Sequence, residues 1–244
     1  MSTPTLPSEN PAAAVASPSG YALEFDNVSI AFDEKVVLDG VSFQLPHGET
    51  KALFGVAGSG KSVLLKLAIG LLRPDSGRIF VLGEEITRMR EQDLFELRRR
   101  VGIVFQESAL FDSLKVSENV AFRLMEERVS AEEIERRVRE VLLYDSPTGG
   151  LDPVTSNTIV ELIMKQRDVY KTSALMVTHR LQDAFTMATH QFDKATNQMV
   201  VLPKGQHCEV PMSFLILRDG KVIFDGDGHH LAASRDDYIR EYIS

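Results

Sequence analysis

The sequence has little of several features that mark large classes of protein. Its single cysteine, Cys208, excludes an internal disulfide. The longest apolar run, from Val63 to Leu72, has ten residues and contains Lys66, so it is far too short to span a membrane. Basic residues are also in the minority, with 27 Lys and Arg against 35 Asp and Glu and a net charge of −8. We therefore expect no nucleic acid partner, because phosphate backbones bind basic surfaces.

Length and composition favour one folded domain. The chain has 244 residues, of which 43% are apolar, and this is enough for a buried core. Residues 1–20 are rich in Pro, Ser, Ala and Thr, without the basic and apolar segments of a signal peptide. The sequence therefore predicts a disordered tail at 1–20, a folded domain at 21–244 and a cytoplasmic location.

Residues 55–62, Gly-Val-Ala-Gly-Ser-Gly-Lys-Ser, contain the clearest motif, G-x-x-x-x-G-K-[ST]. The apolar run 52–54 predicts a strand before the loop, and residues 63–68 predict a helix after it, which is the order that the motif requires. Backbone N–H groups of such a loop and the positive end of the helix dipole bind phosphate. The alternative is a glycine-rich turn at the end of a strand.

The motif predicts a site for a nucleoside triphosphate with Mg²⁺. Lys61 would contact the β- and γ-phosphates, and the Ser62 hydroxyl would be one ligand of the Mg²⁺. The residues predicted to surround the phosphates are Gly55, Gly58, Ser59, Gly60, Lys61 and Ser62.

Strand and helix patterns alternate along the rest of the chain, which predicts an α/β fold with a mostly parallel sheet covered by helices. Alternating apolar residues indicate strands from Tyr21 to Phe32 and near 41–45, and Asp219-Gly220 is a strong hairpin turn signal. A capping box at 130–133 predicts a short charged helix that ends near Glu140.

Four further segments make the chain resemble the ATP-binding subunits of ABC transporters. Gln106 follows a strand, as the Q-loop glutamine does, and Asp145 ends an apolar strand, as the Walker B aspartate does. Residues 150–153, Gly-Leu-Asp-Pro, resemble the D-loop, and residues 178–180 resemble the switch-histidine segment. Taken singly, each residue has an ordinary structural explanation, but together they follow the phosphate loop in the family's order.

The resemblance implies the P-loop NTPase fold of an ABC-type nucleotide-binding domain, with antiparallel β additions, and specific roles for these residues. Asp145 would hold the Mg²⁺ of ATP through water, and Gln106 would sense the metal and the attacking water. His179 would donate a hydrogen bond to the γ-phosphate, and Asp152 of the D-loop belongs to the same catalytic set. Phe32 lies where the family stacks adenine on an aromatic ring, although a phenylalanine in the core is an equal alternative.

Residues 105–122 are most similar to the Mla/Mce-type lipid transporters. The resemblance implies three further features: a membrane permease as partner, a dimer with a second ATP-binding cassette, and a peripheral position on the cytoplasmic face of the plasma membrane. The resemblance covers residues 21–226.

Two departures from the family predict impaired hydrolysis. The signature motif is absent, since no Ser-Gly-Gly occurs in the sequence, and Lys61 and Asp145 are only 84 positions apart, from 61 to 145. We therefore expect the helical subdomain at 85–140 to be truncated relative to the family. The position after Asp145 holds Ser146 in place of the family's glutamate, and serine is not a base at neutral pH.

Residues 190–212 form an insertion relative to the family. The apolar run 199–202, residues 203–205 and residues 208–210 predict an extra hairpin, and a tolerated surface insertion is the simplest explanation. We expect this hairpin and a helical end to make up residues 190–244.

Three functions compete on the sequence alone. The first is the energy-coupling ATPase of a lipid transporter, and the second is a degenerate cassette that binds ATP·Mg without hydrolysing it. A small-molecule kinase is the third, but no arginine-rich lid is evident. Ser146 and the absent signature favour the second function for this chain, and a defective gene product is a further alternative.

Overall fold

The computed structural model of the protein describes residues 20–104, 141–203, 206 and 208–243. Outside these ranges lie residues 1–19 of the tail predicted at 1–20, Gln106, and the helix predicted to open at Ser130. The strands are β1 (Tyr21–Phe32), β2 (Lys35–Pro46), β3 (Thr50–Phe54), β4 (Ser76–Val81), β5 (Glu84–Glu85), β6 (Val101–Val104), β7 (Val141–Asp145), β8 (Ser173–Val177), β9 (His190–Asp193), β10 (Gln198–Val201), β11 (Met212–Arg218) and β12 (Lys221–Asp227). The helices are α1 (Lys61–Ala68), α2 (Glu91–Arg98), α3 (Pro153–Tyr170), α4 (Leu181–Thr189), α5 (Gly228–Ala232) and α6 (Asp237–Ile243).

A six-stranded sheet in the order β12-β11-β3-β8-β7-β6 forms the centre of the molecule. All neighbouring pairs are parallel except β11 with β12. Strands β3 and β8 are buried along their whole length, as expected for parallel strands with both faces covered. The antiparallel pair, β11 with β12, is the predicted hairpin. Its turn residues Asp219 (φ 49°) and Gly220 (φ 75°) have the left-handed backbone that a tight turn requires. The α/β fold and this hairpin are therefore confirmed.

A second, antiparallel sheet has the order β2-β1-β4-β5. Its inner face carries alternating apolar residues, and the rings of Phe25 and Phe43 stack with their centroids 4.9 Å apart. This face packs with α1 and with one face of the parallel sheet around Leu53 and Leu175. The sequence predicts these strands but not their separation into a second sheet.

Helices α3 and α4 cover the other face of the parallel sheet. Side chains alternate along each strand, so Leu53 points to the first core while Phe54 points to the second. Ile163 of α3 and Met187 of α4 pack in this second core. The phosphate-loop strand is therefore held from both sides.

The predicted extra hairpin exists, but its predicted position is wrong. The strands are β9 and β10, which pair antiparallel from Gln198 opposite Asp193 to Val201 opposite His190. Residues 208–210, predicted as the second strand, are not a strand. The turn forms earlier because Asp193 accepts hydrogen bonds from the Ala195 amide and the Thr196 hydroxyl, which fixes a tight loop. Within the described ranges, no helix is both long and apolar enough to cross a membrane.

Candidate nucleotide-binding site

The phosphate loop, Asp145 and the segment of His179 meet at the carboxyl edge of the parallel sheet. Strands β3, β8 and β7 are in register there, since Leu53 pairs with Val177 and Val177 pairs with Asp145. The phosphate loop follows β3, and the segment of His179 follows β8. Ligands of open α/β sheets bind outside this edge, so chain segments that are distant in sequence converge on one site.

One glycine of the phosphate loop packs closely against β2, and another faces open space. Gly60 precedes α1 with φ 102°, and a Cβ there would lie 2.5 Å from the Leu38 side chain of β2. Gly58 has φ 80°, and a Cβ there would meet nothing within 4 Å. The loop is therefore fixed against β2 at one glycine and open at the other, where its backbone is accessible to a phosphate.

Lys61 begins α1 and bends back over the loop. Its Nζ donates hydrogen bonds to the carbonyl oxygens of Gly55 at 2.8 Å and Val56 at 2.9 Å, and it lies 3.5 Å from the Ser59 hydroxyl. Burial lowers the pKa of Lys61, and the negative charge of Asp145 opposes this shift. The two charged residues therefore interact across the site.

The oxygen groups of the site fit a magnesium ion that arrives with a nucleotide. Ser62 is exposed in the first turn of α1, and Asp145 is half-buried at the end of β7. In the described ranges there is no group of three or more His, Cys, Asp or Glu that could hold a metal by itself. One hydroxyl and one carboxylate suit Mg²⁺, which takes its other ligands from phosphates and water.

Ser146 directly follows Asp145 at the end of β7. It has a left-handed backbone (φ 48°), and its amide donates to the Val177 carbonyl oxygen at 2.9 Å. The residue is only 8% exposed. A neutral hydroxyl in this place cannot take a proton from water at neutral pH.

Asp152 and His179 flank the site on neighbouring loops. Asp152 caps α3, because its carboxylate accepts hydrogen bonds from the amides of Val154 at 2.9 Å and Thr155 at 3.1 Å. The Thr155 hydroxyl donates a further hydrogen bond at 2.5 Å, and these bonds lower the pKa of Asp152. His179 is exposed next to Thr178, whose amide donates to the Leu53 carbonyl oxygen of β3 at 3.2 Å.

Phe32 lies at the end of β1 and is 42% exposed, so the alternative of a core phenylalanine is wrong. It pairs with Lys35, the first residue of β2. Two residues further along β2, the carbonyl oxygen of Val37 would lie 3.1 Å from a Cβ on Gly60. The β1–β2 hairpin thus carries an exposed aromatic ring to the neighbourhood of the phosphate loop.

Sequence reasoning missed a set of polar residues behind these loops. Thr148, Ser156 and Asp183 are buried, and they are connected through Arg180. Nothing in the sequence marks them, since buried Ser, Thr and Asp look the same in a sequence as exposed ones.

The strand, glycine loop and helix at this sheet edge define a P-loop nucleotide-binding domain. The sequence profile of the ABC transporter family matches residues 38–202, which is more than half of the chain. The chain therefore belongs to the ABC transporter family, and the resemblance that the sequence indicated is confirmed.

Relatives of this chain include two proteins named for lipid transport or for a lipid. Protein TRIGALACTOSYLDIACYLGLYCEROL 3, chloroplastic, of Arabidopsis thaliana is 31% identical over 93% of this chain and 74% of that protein. The intermembrane phospholipid transport system ATP-binding protein MlaF of Haemophilus influenzae is 23% identical over 91% of this chain and 89% of its own. A probable ribonucleotide transport ATP-binding protein, mkl of Mycobacterium leprae, is 31% identical over 70% of this chain and 60% of that protein.

Solved structures confirm the fold. CbiO1 of Clostridium perfringens, part of an ABC transporter complex, superposes with a TM-score of 0.66 and 21% identity over 91% of this chain and 94% of its own. The ATP-binding cassette MJ0796, a dimer with ADP and Pi, gives a TM-score of 0.60 and 21% identity over 84% of this chain and 98% of its own. Both are ABC ATPase domains.

Proposed function

We propose that this chain is the ATP-binding subunit of an ABC-type lipid transporter, which binds ATP·Mg but hydrolyses it poorly. ATP·Mg binding is supported most directly by the strand register, which brings the loop of Lys61 and the carboxylate of Asp145 to the same edge of the sheet. These two residues supply the cation for the phosphates and the carboxylate for the metal. When Mg²⁺ is bound, it neutralises charge on the β- and γ-phosphates.

The remaining residues have supporting roles in this proposal. The amides of the loop from Gly55 to Gly60 bind the phosphates, Ser62 is a ligand of the metal, and Phe32 stacks on the adenine. Gln106 and His179 contact the metal and the γ-phosphate, and Asp152 belongs to the surface that meets a second cassette.

Ser146 and the absent signature motif support poor hydrolysis. A general base contributes about 10²- to 10⁴-fold in rate, and contacts to the γ-phosphate from a partner contribute about 10³- to 10⁵-fold. The alignment with the Arabidopsis relative runs over 273 residues, more than the 244 of this chain, so that relative has residues which this chain lacks. Together with the short spacing of 84 positions between Lys61 and Asp145, this supports a shortened helical subdomain at about 85–140.

The proposed cargo rests on the names of two relatives, TRIGALACTOSYLDIACYLGLYCEROL 3 and the phospholipid transport protein MlaF. As in ABC transporters generally, the chain would bind a membrane permease and a second cassette, and would lie on the cytoplasmic face of the membrane. A transport assay with the cognate permease in liposomes tests the cargo, with a chain that carries Ser146→Glu and an inserted signature segment so that turnover does not limit transport: we expect ATP-dependent transfer of a labelled phospholipid. Transfer of a ribonucleotide in its place would contradict the lipid assignment.

A non-hydrolysing regulatory cassette is the second candidate, and buried Ser146 favours it. The two candidates share ATP binding and differ in turnover. They are separated by whether bound ATP is converted slowly to ADP, as in a poor ATPase, or stays ATP throughout, as in a non-hydrolysing cassette.

Titration calorimetry with ATP·Mg tests the shared step. The substitution Lys61→Ala removes a charge-assisted contact worth about 1.5–3 kcal/mol, so affinity should fall roughly tenfold to more than a hundredfold. Lys66→Ala is the matched control, because Lys66 is an exposed lysine of the same helix. Equal affinity of wild type and Lys61→Ala would contradict the proposal.

A further inference from the structure

A chain of polar side chains connects three loops of the candidate site. The Thr148 hydroxyl, in the turn after β7, donates a hydrogen bond of 2.6 Å to Asp183 Oδ2 of α4. Asp183 Oδ1 lies 3.5 Å from Arg180 Nε. Arg180 Nη1 in turn donates to the Ser156 hydroxyl of α3 at 2.5 Å. Contacts between side chains thus run from the loop of the metal carboxylate, through the segment of the switch histidine, to the first turn of α3.

Most of this network is withdrawn from water. Ser156, Thr148 and Asp183 are 0%, 2% and 4% exposed. A buried carboxylate must be paired, and apolar residues of similar volume would often serve packing equally well. The arrangement therefore fixes one relative position of the loops, and this is what a polar network specifies better than an apolar core.

His179 is the functional candidate closest to this network. The guanidinium of its neighbour Arg180 lies near the carboxylate of Asp183. The Arg180 amide donates a hydrogen bond of 3.0 Å to the Thr178 hydroxyl. Thr178 is itself 1% exposed and bonded to β3. The backbone on both sides of the exposed histidine is therefore hydrogen-bonded. On the Arg180 side, Asp183 contributes through its amide, which donates to the Arg180 carbonyl oxygen at 3.2 Å, and through its carboxylate, which faces the Arg180 guanidinium.

We infer that Asp183, acting through Arg180, is a positioning residue that sets the place of His179 relative to Asp145. This inference rests on the proposed function, in which His179 contacts the γ-phosphate. ADP has no γ-phosphate, so a displaced His179 weakens ATP binding and leaves ADP binding unaffected. A merely structural role of Asp183 would weaken the binding of both nucleotides alike or of neither.

The test measures the affinities of Asp183→Asn for ATP·Mg and ADP·Mg by titration calorimetry. The amide keeps the size of the side chain but removes the charge that faces Arg180. We expect ATP affinity to fall roughly tenfold, the loss of one charge-assisted hydrogen bond, while ADP affinity stays unchanged. If Asp183→Asn does not fold, the variant Arg180→Gln tests the same contact. Arg180 is only half-buried, and its replacement by Gln removes the positive charge that faces Asp183.

Asp168→Asn is the matched control. Asp168 is 2% exposed and is also paired with an arginine, Arg167 at 2.7 Å, but it lies at the far end of α3. This variant should lose stability and keep its ratio of ATP to ADP affinity.

A double-mutant cycle completes the test. In a His179→Ala background, Asp183→Asn should cause no further loss of ATP affinity, because the group that it positions is gone. An additive loss would overturn the inference, as would equal losses for ATP and ADP. If the wild type binds neither nucleotide, the proposed function itself is wrong and the inference fails with it.

Discussion

At the scale of single residues, two glycines of the phosphate loop have the same left-handed backbone for different reasons. Gly60 is pressed against β2, whereas Gly58 faces open space. Conformation alone would make the two positions equally sensitive to a side chain. The contact with Leu38 makes Gly60 the more sensitive one.

We expect Gly60→Ala to destabilise the protein more than Gly58→Ala. A left-handed alanine costs about 1–2 kcal/mol at either position, and overpacking against Leu38 adds about 1–3 kcal/mol at Gly60 only. Urea denaturation of the two variants measures the difference in the free energy of unfolding. Equal destabilisation would show that β2 does not restrain the loop.

At the scale of elements, α3 begins and ends with polar groups that hold its neighbours in place. Its first turn is capped by Asp152. Near its end, Arg167 donates to the carbonyl oxygens of Met187 at 2.5 Å and His190 at 2.9 Å, and Asp168 accepts from the Phe192 amide at 2.7 Å. The helix therefore links the D-loop to α4 and to the hairpin formed by β9 and β10.

The cap gives a prediction about pH. Hydrogen bonds from Thr155 lower the pKa of Asp152 below its ordinary value of 3.8. The ionised cap therefore stabilises the protein fully above that value, and its contribution is lost as the pH falls through the lower pKa of the folded state. Wild type should be more stable than Asp152→Ala at neutral pH, and the difference should shrink in acid. A difference independent of pH would contradict the role as a charged cap.

The other end of α3 gives a prediction about the hairpin. Asp168→Ala leaves the buried Arg167 without its counter-charge, which should cost about 3–5 kcal/mol. Because Asp168 also holds the Phe192 amide, exchange of amide hydrogens should accelerate first in β9 and β10. Asn157→Ala, an exposed change nearer the start of the same helix, is the control. Unchanged exchange in the hairpin would mean that it is anchored elsewhere.

Much of the element order follows from the sequence because strand and helix periodicities are strong there. The strands at Val141–Asp145 and Ser173–Val177 are continuous apolar runs, and their parallel pairing follows from the helix between them. The hairpin near 198 could not be located in this way. The run Met199–Leu202 resembles a first strand, and only the turn formed by Asp193 shows that it is a second one.

At the scale of the whole molecule, the site exists because parallel pairing aligns the ends of β3, β7 and β8. The motif reveals Lys61, and the family resemblance reveals Asp145 and His179. The link through Thr148 and Asp183 spans 35 positions of sequence and depends on which side chains are buried together. No periodicity encodes such a pairing, so sequence reasoning could not find it.

The two departures from the family should act as one unit. Residues that share a transition state are strongly non-additive. Ser146→Glu alone would supply a base without contacts from a partner cassette, and a signature segment inserted after about residue 140 would supply contacts without a base. We expect each single repair to give only trace ATPase activity and the doubly repaired protein to turn over. Activity of Ser146→Glu alone comparable to that of the doubly repaired protein would show that the missing segment is not decisive.

The fate of bound ATP in the wild-type chain tests the proposed function most directly. With protein in excess over ATP·Mg labelled at the γ-phosphate, we expect the nucleotide to bind and to be recovered as ATP, with only trace release of phosphate. Release at an ordinary enzymatic rate on the order of 1 per second would contradict the proposal, because a site with Ser146 and no signature motif would then be a working ATPase.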